Sequence, residues 1–323
     1  MIMAAAPTLT GRNRRVLRLR HAQDWQSLAY LAAFPALIIW QWLHGFSWPL
    51  YALLLFLTLG VGVIHHNHTH LRMWQGRTAN RITDFYITLC QGHPSFVFWP
   101  THCTNHHRNK HGEHDVARTY RFAGGDTNHL YGYLIHPFQA AHVLYPTVFS
   151  WLARMRRHYP GVWRYCMLQY GAWLGLWATV LAIDVQKGLL YVIIPQLHGL
   201  HWLLVTNYLQ HAHADGSPES RRGQPLLNYA RNFEGLVNPL LFNIGLHTAH
   251  HEHSRAHWSA LTGLHWQYYR QRVAPQLNEP GLLPYMARVF IMGAIHRQYR
   301  SVPLMPSPAP QRNEETSTSF RSS

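Results

Sequence analysis

Apolar positions gather into four long runs, at residues 25–43, 47–64, 165–183 and 188–206. Each approaches the ~20 residues that a helix needs to cross a bilayer. The first two are separated only by His44, Gly45 and Phe46, and the last two by Asp184, Val185, Gln186 and Lys187, so the pattern predicts two transmembrane hairpins. Between them lies a long polar region, residues 65–164. Within it, residues 85–99 and 130–152 are aromatic and half apolar, too mixed to span, and are predicted as helices lying in the membrane interface. Residues 282–300 read as an amphipathic surface helix, and residues 301–323, rich in Pro, Ser and Thr, as disordered. The expected fold is all-α and integral to the membrane: four transmembrane helices in two hairpins, interfacial helices, and a helical cap on one face. The expected organisation is a basic arm over residues 1–24, a membrane domain over 25–300 and a tail over 301–323.

Charge orients this scheme. The chain carries 28 Lys and Arg against 13 Asp and Glu, a formal charge of +15. Such a balance suits nucleic acid or an anionic membrane surface. The 13 Trp, 17 Tyr and 13 Phe sit largely in or beside the apolar runs and no nucleic-acid motif is visible, so the membrane is the expected partner and nucleic acid is not. The two hairpin links hold a single Lys; the N-terminal arm, the central region and the C-terminal region hold the remaining basic residues. The positive-inside rule places those three on the cytoplasmic side. The arm is followed by no small-residue cleavage site, so it is read as part of the mature chain, and a bacterial inner membrane fits. Cys90, Cys103 and Cys166 form no CxxC pair, which argues against a disulfide framework or a thiolate zinc site and fits a reducing compartment.

Histidine changes the picture most. There are 27, spread along the chain in short spaced groups rather than in a tag. On a helix continuing from the second run, His66 and His70 are four apart and share a face, with His65 and His68 pointing elsewhere. His102 and His106 are spaced in the same way with His107 beside them; His111 is a possible substitute, preferred as a supporting residue. His247, His250 and His251 fall at i, i+3 and i+4, while His253 and His257 drift off that face. Asn207 and His211 pair at the end of the fourth run. All these groups fall on the side of the membrane that the basic residues define. Nine imidazoles are too many for one zinc ion, which takes about four ligands, and suit two metal ions. Glu113, Asp115, Glu234 and Glu252 are candidates to orient the imidazoles from outside. Gln196, His198 and His201 lie within the fourth run, where they either line a tunnel or bond between helices.

The order and spacing of HNHTH (66–70), HCTNHH (102–107), NYLQH (207–211) and HTAHH (247–251), set between two membrane hairpins, resemble the membrane fatty acid desaturase and hydroxylase superfamily over residues 53–257. The resemblance implies a non-haem di-iron centre that activates O2. His66, His70, His102, His106, His107, His211, His247, His250 and His251 match the family's iron ligands, and Asn207 matches the residue that holds a metal-bound water. It also implies a fatty acid or acyl thioester substrate, and electrons from a separate protein of the ferredoxin or cytochrome b5 type, since no fused cytochrome b5 motif is present. Desaturation leads as the expected reaction, with hydroxylation and oxidative decarboxylation as alternatives. The stretch QGHPSFVFWPTHCTNHHRNKHGEHD (91–115) is similar to a smaller branch that converts medium-chain fatty acids to 1-alkenes. The second box departs from many desaturases in having three residues, not two, between its first histidines, which leaves the ligand register open. The choice of product rests on where the carboxyl end is held, and Arg118 and Arg121 could anchor it or meet lipid head groups instead. A membrane metal transporter or sensor is the expectation from a different class; it calls for ligands at mid-membrane rather than at one face.

Overall fold

The structure is a computed structural model that describes residues 17–119, 128–214 and 226–304. Four helices in it are long and apolar enough to cross a membrane: Ala22–His44, Trp48–His70, Pro160–Ile183 and Val185–His211, called here the first to fourth spans. Regular structure is otherwise helical, apart from a two-residue parallel pairing of Asn232 with Asn278 and Phe233 with Glu279. The chain is therefore an all-α, multi-pass membrane protein.

The spans outrun the apolar runs that signal them. The second continues six residues past Ile64 and carries its first histidine group on the same helix; the fourth continues past Thr206 to His211. Hydropathy falls at the first polar residue, but the backbone hydrogen bonding does not stop there, because these polar side chains are buried against protein. The tight links are built as turns. Gly45 takes φ +93°, a left-handed conformation that glycine adopts without a Cβ penalty, and its N–H bonds Gln41. Asp184 accepts from the Lys187 N–H, and Lys187 Nζ reaches the Trp42 carbonyl at 2.8 Å, tying the second link to the end of the first span.

Burial ranks the spans. In its most apolar stretch the second span is 56% buried and the third only 11%, so the second is the central post and the third faces lipid. Leu54, Val61 and Ile64 of the second span pack with Leu31 and Phe34 of the first. The fourth span closes onto the second at Gly199, where an added Cβ would lie 2.8 Å from Thr58 Cβ. His198 Nδ1 and Thr58 Oγ1 bond across the same junction at 2.9 Å. Gln196 takes the Trp177 indole N–H and donates to the Leu89 carbonyl. Gln196 and His198 thus bond between helices, and none of Gln196, His198 and His201 lines the cavity at the histidines.

The amphipathic elements wrap this core. Residues 85–99, expected as one interfacial stretch, are divided: helix Arg77–Gln91 ends at left-handed Gly92, and a separate helix, Trp99–His106, follows. The next long helix, Leu130–His158, includes Pro137 and Pro146 and packs on the fourth span, presenting Phe138 and Phe149 outward. The expected surface helix at 282–300 is shorter, Leu282–Ile295, because Arg300 Nε caps the Gly293 carbonyl and the chain turns extended at His296. It buries Tyr285, Val289 and Phe290 against Tyr208 and Phe233. The N-terminal arm up to residue 16 and the tail from 305 lie outside the described residues.

The Gly199 junction gives a test of the scaffold. Gly199→Val should destabilise the protein by about 1–3 kcal/mol through overpacking. Gly171→Val, at a third-span position with nothing within 4 Å of the new Cβ, should be near neutral. Thermal unfolding in detergent compares the two.

Candidate metal centre

The second and fourth spans are alternate members of an antiparallel series, so both end on the same side, and their last turns bring His66, His70 and His211 to one place. The other six histidines arrive from the cap. They assemble into two groups: His66, His70, His102, His107 and His250 in one, His106, His211, His247 and His251 in the other, with the ligand-capable atoms of each group within 4.8 Å of one another. The rings of His107 and His251 stack at 4.4 Å where the groups adjoin.

Sharing a face does not mean sharing a group. His102 and His106 lie side by side, 5.0 Å between ring centroids, yet fall in different groups. The segment Trp99–His106 is a π-helix, and the His107 N–H bonds the His102 carbonyl, an i→i+5 step. That step places His107 beside His102 in the first group and turns His106 into the second. The third box also divides: His247 and His251, four apart, share the second group, while His250 points to the first. Two of the three boxes therefore serve both groups.

The outer nitrogens decide which atom faces inward. His106 Nδ1 lies 2.6 Å from Asp115 Oδ2, His211 Nδ1 is 2.7 Å from the Tyr229 carbonyl, and His66 Nδ1 is 3.1 Å from Asn67 Oδ1. Those oxygens only accept, so each Nδ1 carries the proton and each Nε2 is a lone pair. The inward atoms of His66, His70 and His106 are buried without a hydrogen-bond partner among the described residues. In each group nitrogens also crowd one another: His107 Nε2 is 3.0 Å from Nε2 of both His102 and His250, and His247 Nε2 is 3.0 Å from Nε2 of both His211 and His251. Burial, and then the charge that neighbouring imidazoles would carry, hold His102, His107, His247, His250 and His251 far below the ordinary histidine range, so they are neutral at neutral pH. Orphaned, neutral, converging nitrogens fit a cation in each group. The five- and four-member sets match two ions rather than one.

Supporting residues fix the cage from outside. Left-handed Lys110 and His111 turn the chain back after the second box and return Asp115 to it. Asp115, fully buried, accepts His106 Nδ1 and the His111 N–H on Oδ2 and the Ala117 N–H on Oδ1. Glu252 accepts from Lys110 and Tyr229. Glu234 serves His265 and Arg270 instead, away from both groups. Glu113 makes no hydrogen bond or ion pair with the nine histidines among the described residues. His65 bonds the Ser95 carbonyl, and His111 spends both ring nitrogens, on the Ala214 carbonyl and on Thr119. His111 therefore belongs to neither group. Asp84, which sequence reading missed, pairs with His68 and Arg72 and accepts from Tyr165 at 2.9 Å. Its signal was a lone acid on the buried face of a basic helix. Gln169 Oε1 collects Thr88 Oγ1, Ser95 Oγ and the Phe96 N–H within 3.2 Å, clamping the approach to the π-helix.

A largely apolar cavity meets the centre, lined by His66 and His102 of the first group, His247 of the second, and Asn207. Asn207 Nδ2 donates to the Ala117 carbonyl at 2.8 Å. Arg118 does not line this cavity, although its neighbour Ala117 does; Arg121 lies outside the described residues. A separate polar cleft, with Asp24, Asn67 and His257 on its wall, meets His70 and His250 from another side.

A family model described as fatty acid desaturase matches residues 40–280, well over half of the chain. The chain belongs to the fatty acid desaturase family, which makes it an oxidoreductase of acyl chains in a lipid environment. Comparison with curated proteins and with solved structures gave no match.

Two changes test the support of the cage. Asp115→Asn has one oxygen for three donors, so it must turn an NH2 toward one of them; metal affinity should fall about 10–100-fold. Competition with a chelator, read as iron per chain, measures this. Gln169→Leu strands two buried donors, Ser95 Oγ and the Phe96 N–H, since Thr88 Oγ1 also bonds the Asp84 carbonyl, and should destabilise the protein by about 2–4 kcal/mol, read as a lower unfolding temperature.

Proposed function

We propose that the nine histidines hold two iron ions and that the protein uses O2 to oxidise a fatty acyl chain delivered through the largely apolar cavity. The observation that carries this reading is the inward convergence of neutral nitrogens in two adjoining groups, both of which meet one cavity. Family membership supports the acyl substrate. The site's position at one end of the spans, beside the basic central region, supports a cytoplasmic active face and electron delivery by a separate ferredoxin-like or cytochrome b5-like protein. A bacterial inner membrane fits that arrangement.

When bound, the irons supply the activation of O2 and the power to take hydrogen from an unactivated methylene. The chain's own residues do the rest. Asp115, Asn67 and the Tyr229 carbonyl keep the outer nitrogens protonated and the inner ones free. Phe98 and Leu203 on the cavity wall exclude water and hold an acyl chain against His66, His102 and His247. The carboxamide oxygen of Asn207 is the atom left to accept a water at the metals. The polar cleft beside His70 and His250 gives protons a route that does not cross the acyl cavity.

In desaturation, the leading reaction, two neighbouring methylenes lose two hydrogens. O2 takes these, with two electrons and two protons from the donor, and leaves as two waters. Oxygen transfer to one carbon instead gives an alcohol. Loss of CO2 together with a β-hydrogen gives a 1-alkene with the same electron count. The ligands are common to all three, so the outcome depends on which carbon the cavity presents.

The wild-type protein should bind about two irons per chain, and His70→Ala and His251→Ala should each lose metal from a different group and abolish turnover. Elemental analysis, with mass spectrometry of cells fed saturated fatty acids, tests this. Full iron content and unchanged products in both variants would sink the reading.

A further inference from the structure

The cavity wall holds four buried polar side chains outside the two histidine groups: Thr101, His136, Thr206 and Gln210. Three have spent their donors on backbone carbonyls. Thr101 bonds Val97 at 2.9 Å, Thr206 bonds Trp202 at 2.8 Å, and Gln210 Nε2 bonds Ile244 at 2.8 Å. His136 is different. Its residue is 3% exposed, it lines the cavity, and its ring makes no hydrogen bond among the described residues. Its ring lies against that of Tyr208, 5.1 Å between centroids. Pro137 follows it in the helix, fixing the backbone at this point.

An imidazole buried without a partner costs stability unless something bonds it. The expected guest is an acyl chain, which carries its only polar atoms at one end. Tyr208, the ring neighbour of His136, is three residues before His211 on the fourth span, a rise of about 4.5 Å along the helix. A group bonded to His136 therefore sits close to the level of the metal-facing histidines, in the same cavity as His66, His102 and His247.

We propose that His136 holds the carboxyl group of the acyl substrate, so that the chain binds head-first and the carbons next to the carboxyl group are the ones oxidised. Burial keeps the imidazole neutral, with its pKa lowered to about 4, which leaves one N–H to donate and one lone pair to accept from a protonated acid. This rests on the acyl-oxidation reading and sharpens it: products are a double bond beside the carboxyl group, or a 1-alkene one carbon shorter than the acid with release of CO2. Arg118 is not needed for this anchor.

The test uses the full-length, iron-loaded protein in detergent with lauric acid as probe, comparing wild type, His136→Phe and His136→Gln. Equilibrium binding of labelled lauric acid should weaken about ten-fold in the Phe variant, the worth of one buried hydrogen bond to a polar head, and largely recover in the Gln variant, with iron per chain unchanged in both. Mass spectrometry of wild-type products should place the oxidation at the carbons next to the carboxyl group. Unchanged binding in the Phe variant, or binding and iron lost together, would overturn the assignment to His136. A mid-chain double bond from the wild type would overturn head-first binding while leaving acyl oxidation intact. Failure of the wild type to oxidise any acid would instead count against the acyl-oxidation reading, and the binding comparison would still decide the role of His136.

Discussion

An imidazole has two nitrogens and, when neutral, one proton, so a histidine offers a lone pair inward only if something outside accepts the proton on the other nitrogen. The rest of this structure follows from that constraint. Asp115 does this for His106, the Tyr229 carbonyl for His211 and Asn67 for His66. Burial adds the second half of the condition, because protonating one ring would place a charge in a dry site already crowded with donor nitrogens. The cage is thus compatible with metal cations.

Holding nine such rings in register demands a rigid frame, and the membrane spans supply it. The second span is buried on most of its surface and delivers one pair; the fourth is locked to it through Gly199 and Thr58 and delivers His211. The cap then completes both groups with two short helices that each divide their histidines. Because the π-helical box and the third box both reach into each group, the two groups cannot move apart without breaking the same local structures. A shared scaffold of this kind suits two ions acting on one substrate.

The surroundings are asymmetric in a useful way. One opening is apolar and meets histidines of both groups; another is polar and meets His70 and His250. An acyl chain and a supply of protons have opposite solvation needs, and the proposed reading gives each its own opening. His136, outside both groups and without a hydrogen-bond partner among the described residues, is the side chain proposed to give this apolar wall a polar address.

The amino-acid sequence by itself determined the class of fold and singled out the histidines that the structure brings together. Runs of about 20 apolar residues leave few options in a bilayer, where a helix is the way to satisfy the backbone. Clustered histidines at helical spacing, placed just beyond those runs, marked all nine residues that the structure gathers. Only the tertiary structure decided how they divide. Face arguments assume α-helical periodicity, and the i→i+5 bond from His107 to His102 changes it, so His107 joins His102 in one group while His106, its ring 5.0 Å from that of His102, serves the other. It also decided which supports count, since Asp115 and Glu252 approach the cage while Glu234 is drawn off by His265 and Arg270. His136 was invisible as a candidate because its meaning lies in an absence of partners, and partners are a property of packing rather than of local sequence.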